Sequence, residues 1–179
     1  TGTIAFELLG RSRPTSLEEL QQELAGHGLG VGVPLGFSNT YAIAMNEARA
    51  AALNIRSISD LARHPELKVG LSQEFLNRKD GWPALKAAYA LPHAPRGLDH
   101  GLAYEALASG QLDVLDVYST DAKIIRYRVR QLEDDRRFFP AYDAIVLYRL
   151  DLPQRFPEAW SALKSLEKRI DAPRMARMN

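Results

Sequence analysis

The stretch DHGLAYEALASGQLDVLDVY, residues 99–118, carries the pattern that decides the fold class. Its first half has an acidic start, apolar residues at helical spacing and a glycine stop, which are typical of a short helix. Its second half, residues 112–118, is an apolar run of strand length. A helix that ends at a glycine and leads directly into a strand indicates an α/β arrangement.

The same alternation of helices and strands extends in both directions along the chain. Helices are predicted at residues 15–24, 47–53, 57–64, 81–91 and 157–170, and strands at 31–33, 41–45, 67–71 and 144–150. Thr15 or Ser16 followed by Glu18 or Glu19 is a capping-box pattern at the start of the first helix. This alternation predicts an α/β fold with a mainly parallel or mixed sheet. The sequence after residue 121 is dense in charged residues, which indicates a domain boundary near residues 118–121.

The composition excludes several classes of function. The 179 residues carry 23 Lys and Arg against 22 Asp and Glu, so the net charge of +1 argues against a nucleic-acid partner. There is no cysteine, and the four histidines lack the spacing of a metal site, so neither a metal nor a cofactor is expected. The start at TGTIAF without methionine suggests a processed or trimmed product.

Three tyrosines stand where predicted strands begin or end. Tyr41 follows the polar turn SNT in GFSNTYAIAM, Tyr118 ends a strand, and Tyr142 follows FFPA just before a strand. In an open α/β sheet the crevice beyond the strand ends is the usual place for a ligand. Taken alone, Tyr41 is better explained as a residue that caps a buried strand. Together, the three tyrosines favour a binding cleft.

Arg78, in EFLNRKDG, is predicted in a loop between two helices, from which a guanidinium can bind a carboxylate with two hydrogen bonds. Aromatic rings attract a quaternary ammonium group by about 0.5–2 kcal/mol each when water is excluded. Several tyrosines and one arginine around a cleft would therefore suit a zwitterion with an ammonium group at one end and a carboxylate at the other.

An ordered set of motifs resembles one known family over nearly the whole chain. The motifs are TGT, GFSNTYAIAM, SISDLA, EFLNRKDGWPAL, YEAL, DVYSTDAKI, LEDDRRFFPAY and the terminal MN. The family comprises the substrate-binding proteins of ABC importers for glycine betaine, choline, carnitine and related osmoprotectants.

The resemblance implies a type II periplasmic binding protein, in which two lobes close on the ligand about a two-strand hinge. Such a protein binds and delivers its ligand to a membrane permease outside the cytoplasm and is not an enzyme. The family's aromatic cage maps onto Tyr41, Tyr118 and Tyr142. Its carboxylate contacts map onto Arg78 and the Thr3 hydroxyl, and the backbone at Asn39 approaches the ammonium group.

The resemblance also implies a division of the chain. Residues 1–117 would form the second lobe, with a hinge near residues 1–4, and residues 118–179 would form the hinge and the returning part of the first lobe. In the family a cage tyrosine usually precedes TGT, and most of the first lobe comes before it; neither is in this sequence. We therefore expect the C-terminal segment to cover an unpaired edge by dimerising or exchanging segments. Smaller departures are Ser38 and Ala122, where asparagine and glycine are commoner.

Two alternatives remain at this point. The chain could be an enzyme acting on a small zwitterion, with Arg78 binding the substrate and Asp80 or Asp121 as the base. It could also be a sensory or regulatory module on the same binding fold, because one fold serves many functions.

Overall fold

The structure is a computed structural model that describes residues 1–11, 15–78 and 80–179. Its strands are β1 (Leu29–Gly32), β2 (Tyr41–Asn46), β3 (Val69–Ser72), β4 (Arg96–Leu98), β5 (Val114–Tyr118), β6 (Val129–Gln131) and β7 (Val146–Arg149). Its α-helices are α1 (Leu17–Ala25), α2 (Glu47–Ala52), α3 (Gln73–Asn77), α4 (Trp82–Tyr89), α5 (His100–Ala108), α6 (Lys123–Arg126), α7 (Leu152–Arg155), α8 (Pro157–Lys164) and α9 (Ala172–Met178). A π-helical turn (Ile4–Leu8) and a 3-10 turn (Ile58–Arg63) are also present.

The chain forms two compact units. The first unit contains residues 1–40 and 140–179, and the second unit contains residues 41–139. These bounds differ from the predicted division after residue 117, because β5 lies inside the sheet of the second unit and β6 extends that sheet. The chain enters the second unit once and leaves it once. The assignment of the units to particular lobes stays a prediction.

The second unit is built on a five-stranded sheet with the order β4-β3-β5-β2-β6. Strand β3 is parallel to β4 and β5, whereas β2 is antiparallel to β5 and β6. The predicted α/β fold with a mixed sheet is therefore confirmed. The register of the central antiparallel pair sets Tyr41 opposite Tyr118.

The central strands of this sheet are apolar on both faces. Along β2, Tyr41, Ile43 and Met45 belong to the larger apolar cluster, while Ala44 belongs to the smaller one. This alternation follows from the two-residue period of a strand. On β5, Val114 lies in the larger cluster and Tyr118 packs against it, while Leu115 and Val117 lie in the smaller one. The paired tyrosines thus share one face of the sheet.

Side-chain caps fix where several helices begin. Ser16 and Glu19 form the predicted capping box of α1, each side chain accepting the other residue's backbone N–H. Asp99 accepts the N–H of Gly101 at 2.8 Å at the start of α5. Ser72 caps α3 by accepting the N–H of Phe75 at 3.1 Å. These bonds satisfy backbone donors that a first helical turn leaves unpaired.

The first unit has a smaller core and a two-stranded antiparallel sheet of β1 and β7. The buried residues of this core are Ala5, Leu20, Leu24 and Val31. Helices α7, α8 and α9 contribute no buried residue among those described. Residues 2–8, which include part of the hinge predicted near residues 1–4, are helical.

Candidate functional site

Two of the predicted cage tyrosines are direct neighbours in the second unit. The ring centroids of Tyr41 and Tyr118 lie 5.0 Å apart, with their planes tilted by 41°. Tyr41 is the first residue of β2 and Tyr118 the last of β5, so the antiparallel register brings the two strand ends together. Tyr41 is buried and also contacts the ring of Phe75 at 5.0 Å, whereas Tyr118 is half-buried. We call Tyr41 and Tyr118 the tyrosine pair.

A carboxylate joins the two tyrosine hydroxyls. Tyr41 donates to Glu74 Oε1 at 2.8 Å, and Tyr118 donates to Glu74 Oε2 at 2.9 Å. The sequence analysis did not identify Glu74. The only signal was its position four residues before Arg78 in EFLNR, a spacing that also describes an ordinary ion pair on a helix.

Arg78 lies beside the same pair, but its guanidinium is already engaged. Its Nε and Nη2 donate to the two carboxylate oxygens of Asp80 at 2.8 and 2.9 Å, and Nη1 lies 3.5 Å from Glu74 Oε1. Its Cζ stands 5.5 Å from the centre of the Tyr41 ring. The Arg78 guanidinium, which was predicted to bind a ligand carboxylate with two hydrogen bonds, therefore makes these two bonds to a carboxylate of the chain itself.

The surroundings fix the charge of each group. Burial raises the pKa of Tyr41 and of Tyr118, and the neighbouring carboxylate of Glu74 adds to both shifts. Burial works against ionisation of Glu74, but hydrogen bonds from the tyrosine pair and the charge of Arg78 hold the Glu74 pKa below its usual range. At neutral pH the site thus contains two neutral phenols and an ionised carboxylate.

His100 extends this aromatic row on the far side of Tyr118. Its ring centroid lies 5.0 Å from that of Tyr118, and its Nε2 lies 3.3 Å from Asp121 Oδ2. Tyr104 donates to the same Asp121 oxygen at 2.9 Å. The two candidate bases of the enzyme alternative, Asp80 and Asp121, are thus each held by partners within the second unit.

The other three predicted residues belong to the first unit. The N–H of Asn39 donates to the carbonyl oxygen of Tyr142 at 3.1 Å, and the N–H of Tyr142 donates to Ser38 Oγ at 2.9 Å. The Tyr142 ring packs so closely on Gly2 that a Cβ there would lie 2.4 Å from its Cε1. Thr3 is exposed and follows Gly2 in the chain. Tyr41, Tyr118 and Arg78 thus lie together in the second unit, and Asn39 and Tyr142 are bonded in the first, while the role of these residues in binding stays a prediction.

The first unit also contains a pocket of about 250 Å³. It is lined by Thr1, Gly2, Ala5, Phe6, Thr15, Ser16, Leu17, Pro34, Pro140, Ala141, Asp143 and Ile145. Gly2 and Ala141 are chain neighbours of the predicted residues Thr3 and Tyr142, so the pocket adjoins this part of the candidate site.

Across residues 1–11, 15–78 and 80–179, no cluster of three His, Asp or Glu side chains has an arrangement that could hold a metal ion. Within those same ranges, no helix has the length and apolar character needed to span a bilayer.

Residues 8–179 match the family model described as the substrate binding domain of the ABC-type glycine betaine transport system. The chain is 35% identical over 159 residues to a glycine-betaine-binding protein of Pseudomonas aeruginosa, covering 82% of this chain and 51% of that protein. It is 34% identical over 147 residues to the ergothioneine transport permease/ergothioneine binding protein of Helicobacter pylori, covering 81% of this chain and 27% of that protein. The chain thus spans about half, or less, of the length of these relatives.

A solved structure described as a glycine betaine/carnitine/choline ABC transporter superposes with a TM-score of 0.84 at 30% sequence identity. The superposition covers 99% of this chain and 68% of that one.

Proposed function

Since the chain belongs to the family of substrate-binding domains of ABC-type glycine betaine transport systems, we propose that it captures a quaternary-ammonium solute, such as glycine betaine or choline, in an aromatic cage. Its fold is that of a type II periplasmic binding protein, as the resemblance implied. Proteins of this family bind a solute for transport. We propose the same role here, in partnership with a membrane permease and on the outer side of the cytoplasmic membrane.

The observation that carries the proposal is the tyrosine pair. The two rings lie 5.0 Å apart and the half-buried Tyr118 keeps part of its surface in solvent, and a quaternary ammonium group, which has no N–H to donate to water, is attracted to such an aromatic surface.

Arg78 has a different part in this proposal from the one predicted. Because Asp80 occupies its Nε and Nη2, a ligand carboxylate would have to use Nη1 or displace Asp80. We propose that Arg78 chiefly packs over the Tyr41 ring, and that solutes without a carboxylate are also accepted.

Thr3, Asn39 and Tyr142 are proposed as further ligand contacts on the strength of the family resemblance. The hydrogen bond between Asn39 and Tyr142 within the first unit supports a shared role for these two.

Calorimetry with glycine betaine, choline and carnitine on the protein as its gene encodes it tests the proposed function. We expect one of these ligands to bind, and Tyr118→Ala to weaken it about tenfold or more, because one aromatic face is lost. Tyr127→Phe, on a ring outside the pair, is the control and should leave the affinity unchanged. Absence of heat with all three ligands, or binding that Tyr118→Ala leaves intact, would refute the cage.

We further propose that the first unit associates with a second copy or exchanges a segment with it. Large apolar side chains of this unit are more than a third exposed, namely Leu8, Leu147, Leu150, Phe156, Leu166 and Met178. Apolar surface of this kind favours association. Light scattering should give a dimeric mass that Leu147→Glu lowers to the monomer. A monomeric mass at high concentration would exclude the association.

A further inference from the structure

Glu74 occupies an unusual position for a carboxylate that holds two buried or half-buried tyrosines. Each of its oxygens accepts one hydroxyl of the tyrosine pair, yet its own side chain is 55% exposed. The carboxylate is therefore both fixed by the rings and open to the solution from which a ligand arrives.

Two other tyrosines in the second unit show what a purely structural carboxylate contact looks like. Tyr89 donates to Asp134 and Tyr104 donates to Asp121, but both rings are almost completely buried, at 1% and 0% exposure. No π-face of these rings is left for a ligand. The contact at Glu74 differs because the half-buried Tyr118 keeps part of its surface in solvent.

A hydroxyl that donates to an ionised carboxylate is polarised by it. Electron density moves from the O–H bond toward the phenol oxygen and ring, which makes the face of the ring more attractive to a cation. Glu74 bonds to both hydroxyls, and of the two rings it is the half-buried Tyr118 that keeps surface open to a ligand. Glu74 also fixes the direction of each ring, so the two faces keep their relative tilt.

We propose that Glu74 is a positioning and specificity-determining residue: through the two hydroxyls it orients the tyrosine pair and gives it a preference for a cationic head over a neutral head of the same shape. The proposal rests on the proposed function and adds a residue and a charge selectivity to it.

The test compares ligands that differ only in charge at the head. Choline is paired with 3,3-dimethyl-1-butanol, and glycine betaine with 3,3-dimethylbutanoate, in which carbon replaces the ammonium nitrogen. Dissociation constants are measured by calorimetry for the wild type and for Glu74→Gln. We expect Glu74→Gln to weaken the ammonium ligand about tenfold and to change the carbon analogue by less than about twofold, so the ratio of the two affinities falls.

Glu47→Gln is the matched control. Glu47 lies in the same unit, its side chain is 52% exposed, and it is paired with Arg130 away from the tyrosine pair. It should leave the ratio unchanged. If Glu74→Gln fails to fold, as judged by its thermal transition, Tyr118→Phe serves instead, because it removes one of the two donors and keeps the ring. The ratio should then fall about twofold to threefold.

The outcomes separate this proposal from the one on which it rests. Equal weakening of ammonium ligand and carbon analogue would mean that Glu74 is only a structural brace, and an unchanged ratio would mean that it has no part in selectivity. Either result overturns the proposal and leaves the binding function standing. If the wild type binds none of choline, glycine betaine and carnitine, the function fails and this proposal fails with it. If carnitine alone binds, the same ratio is measured against its carbon analogue, 3-hydroxy-5,5-dimethylhexanoate.

Discussion

Glu74 accepts both hydroxyls of the tyrosine pair, although in the sequence it looks like half of a helix-surface ion pair with Arg78. The two tyrosines themselves could be predicted, because a change from apolar to polar sequence marks the end of a strand. Their contact with Glu74 could not, since it depends on which strands pair and in which register. Arg78 differs, because its partner Asp80 is only two residues along the chain and the sequence analysis considered Asp80 only as a candidate base.

The lowered pKa of Glu74 predicts how the tyrosine pair responds to acid. Because its folded-state pKa lies below the ordinary value of 4.5, its two hydrogen bonds contribute fully above that value and are lost as pH falls through the folded-state pKa. Isotope-labelled Cζ resonances of Tyr41 and Tyr118 should therefore stay constant from neutral pH down to the ordinary value and shift together below it. Glu74→Gln should abolish the shift, and a common shift that begins near neutral pH would contradict the assignment.

Among the elements, helices were predicted best where a cap marks their start. Ser16 with Glu19 and Asp99 are local signals, and both begin helices as predicted. The helical segment at residues 2–8 has no such cap, and the sequence analysis predicted no helix there; the hinge near residues 1–4 stays a prediction. The antiparallel place of β2 between β5 and β6 is equally invisible in the sequence, because it joins segments far apart along the chain.

The connection between α3 and α4 depends on a glycine. A Cβ on Gly81 would lie 2.1 Å from the carbonyl oxygen of Phe75, which is backbone and cannot rotate away. Gly81→Ala should therefore lower the free energy of unfolding by roughly 1–3 kcal/mol, measured by urea denaturation.

Gly26→Ala is the control for that substitution. Its added Cβ would lie 3.5 Å from the Glu23 carbonyl oxygen, an ordinary contact, and its φ of −61° suits any residue. It should leave stability unchanged or raise it by about 0.4–1 kcal/mol. Equal stability of the two variants would show that the chain relaxes around Gly81.

At the scale of the whole molecule, the sequence predicted an α/β fold and a boundary near residues 118–121, whereas the compact units of the structure divide after residues 40 and 139. The change in composition near residue 121 suggested that a new unit begins there. In the structure the chain after Tyr118 still returns through β6, and Leu132 lies in the larger core of the second unit. A unit extends to the last residue that packs in its core. A change in charge density along the sequence does not mark that residue.

The second unit is one continuous segment with its own sheet and core, so it should fold alone. We expect residues 41–139 to give a dispersed amide NMR spectrum and a cooperative urea transition. Residues 41–117, cut at the predicted boundary, lose β6, Leu132 and Tyr118 and should lack both. If residues 41–117 folded, the unit would end where the sequence predicted.

The two crossings of the chain also have a mechanical consequence. Next to these crossings, residues 35–39 run beside residues 142–144, joined by backbone hydrogen bonds, and Thr40 Oγ1 donates to the Pro140 carbonyl oxygen at 3.4 Å. Tension applied between residues 17 and 172 would have to open the β1–β7 pair and then this ladder, bond by bond, before it reached the second unit. Unfolding of residues 41–139 would afterwards release a contour length on the order of 300 Å.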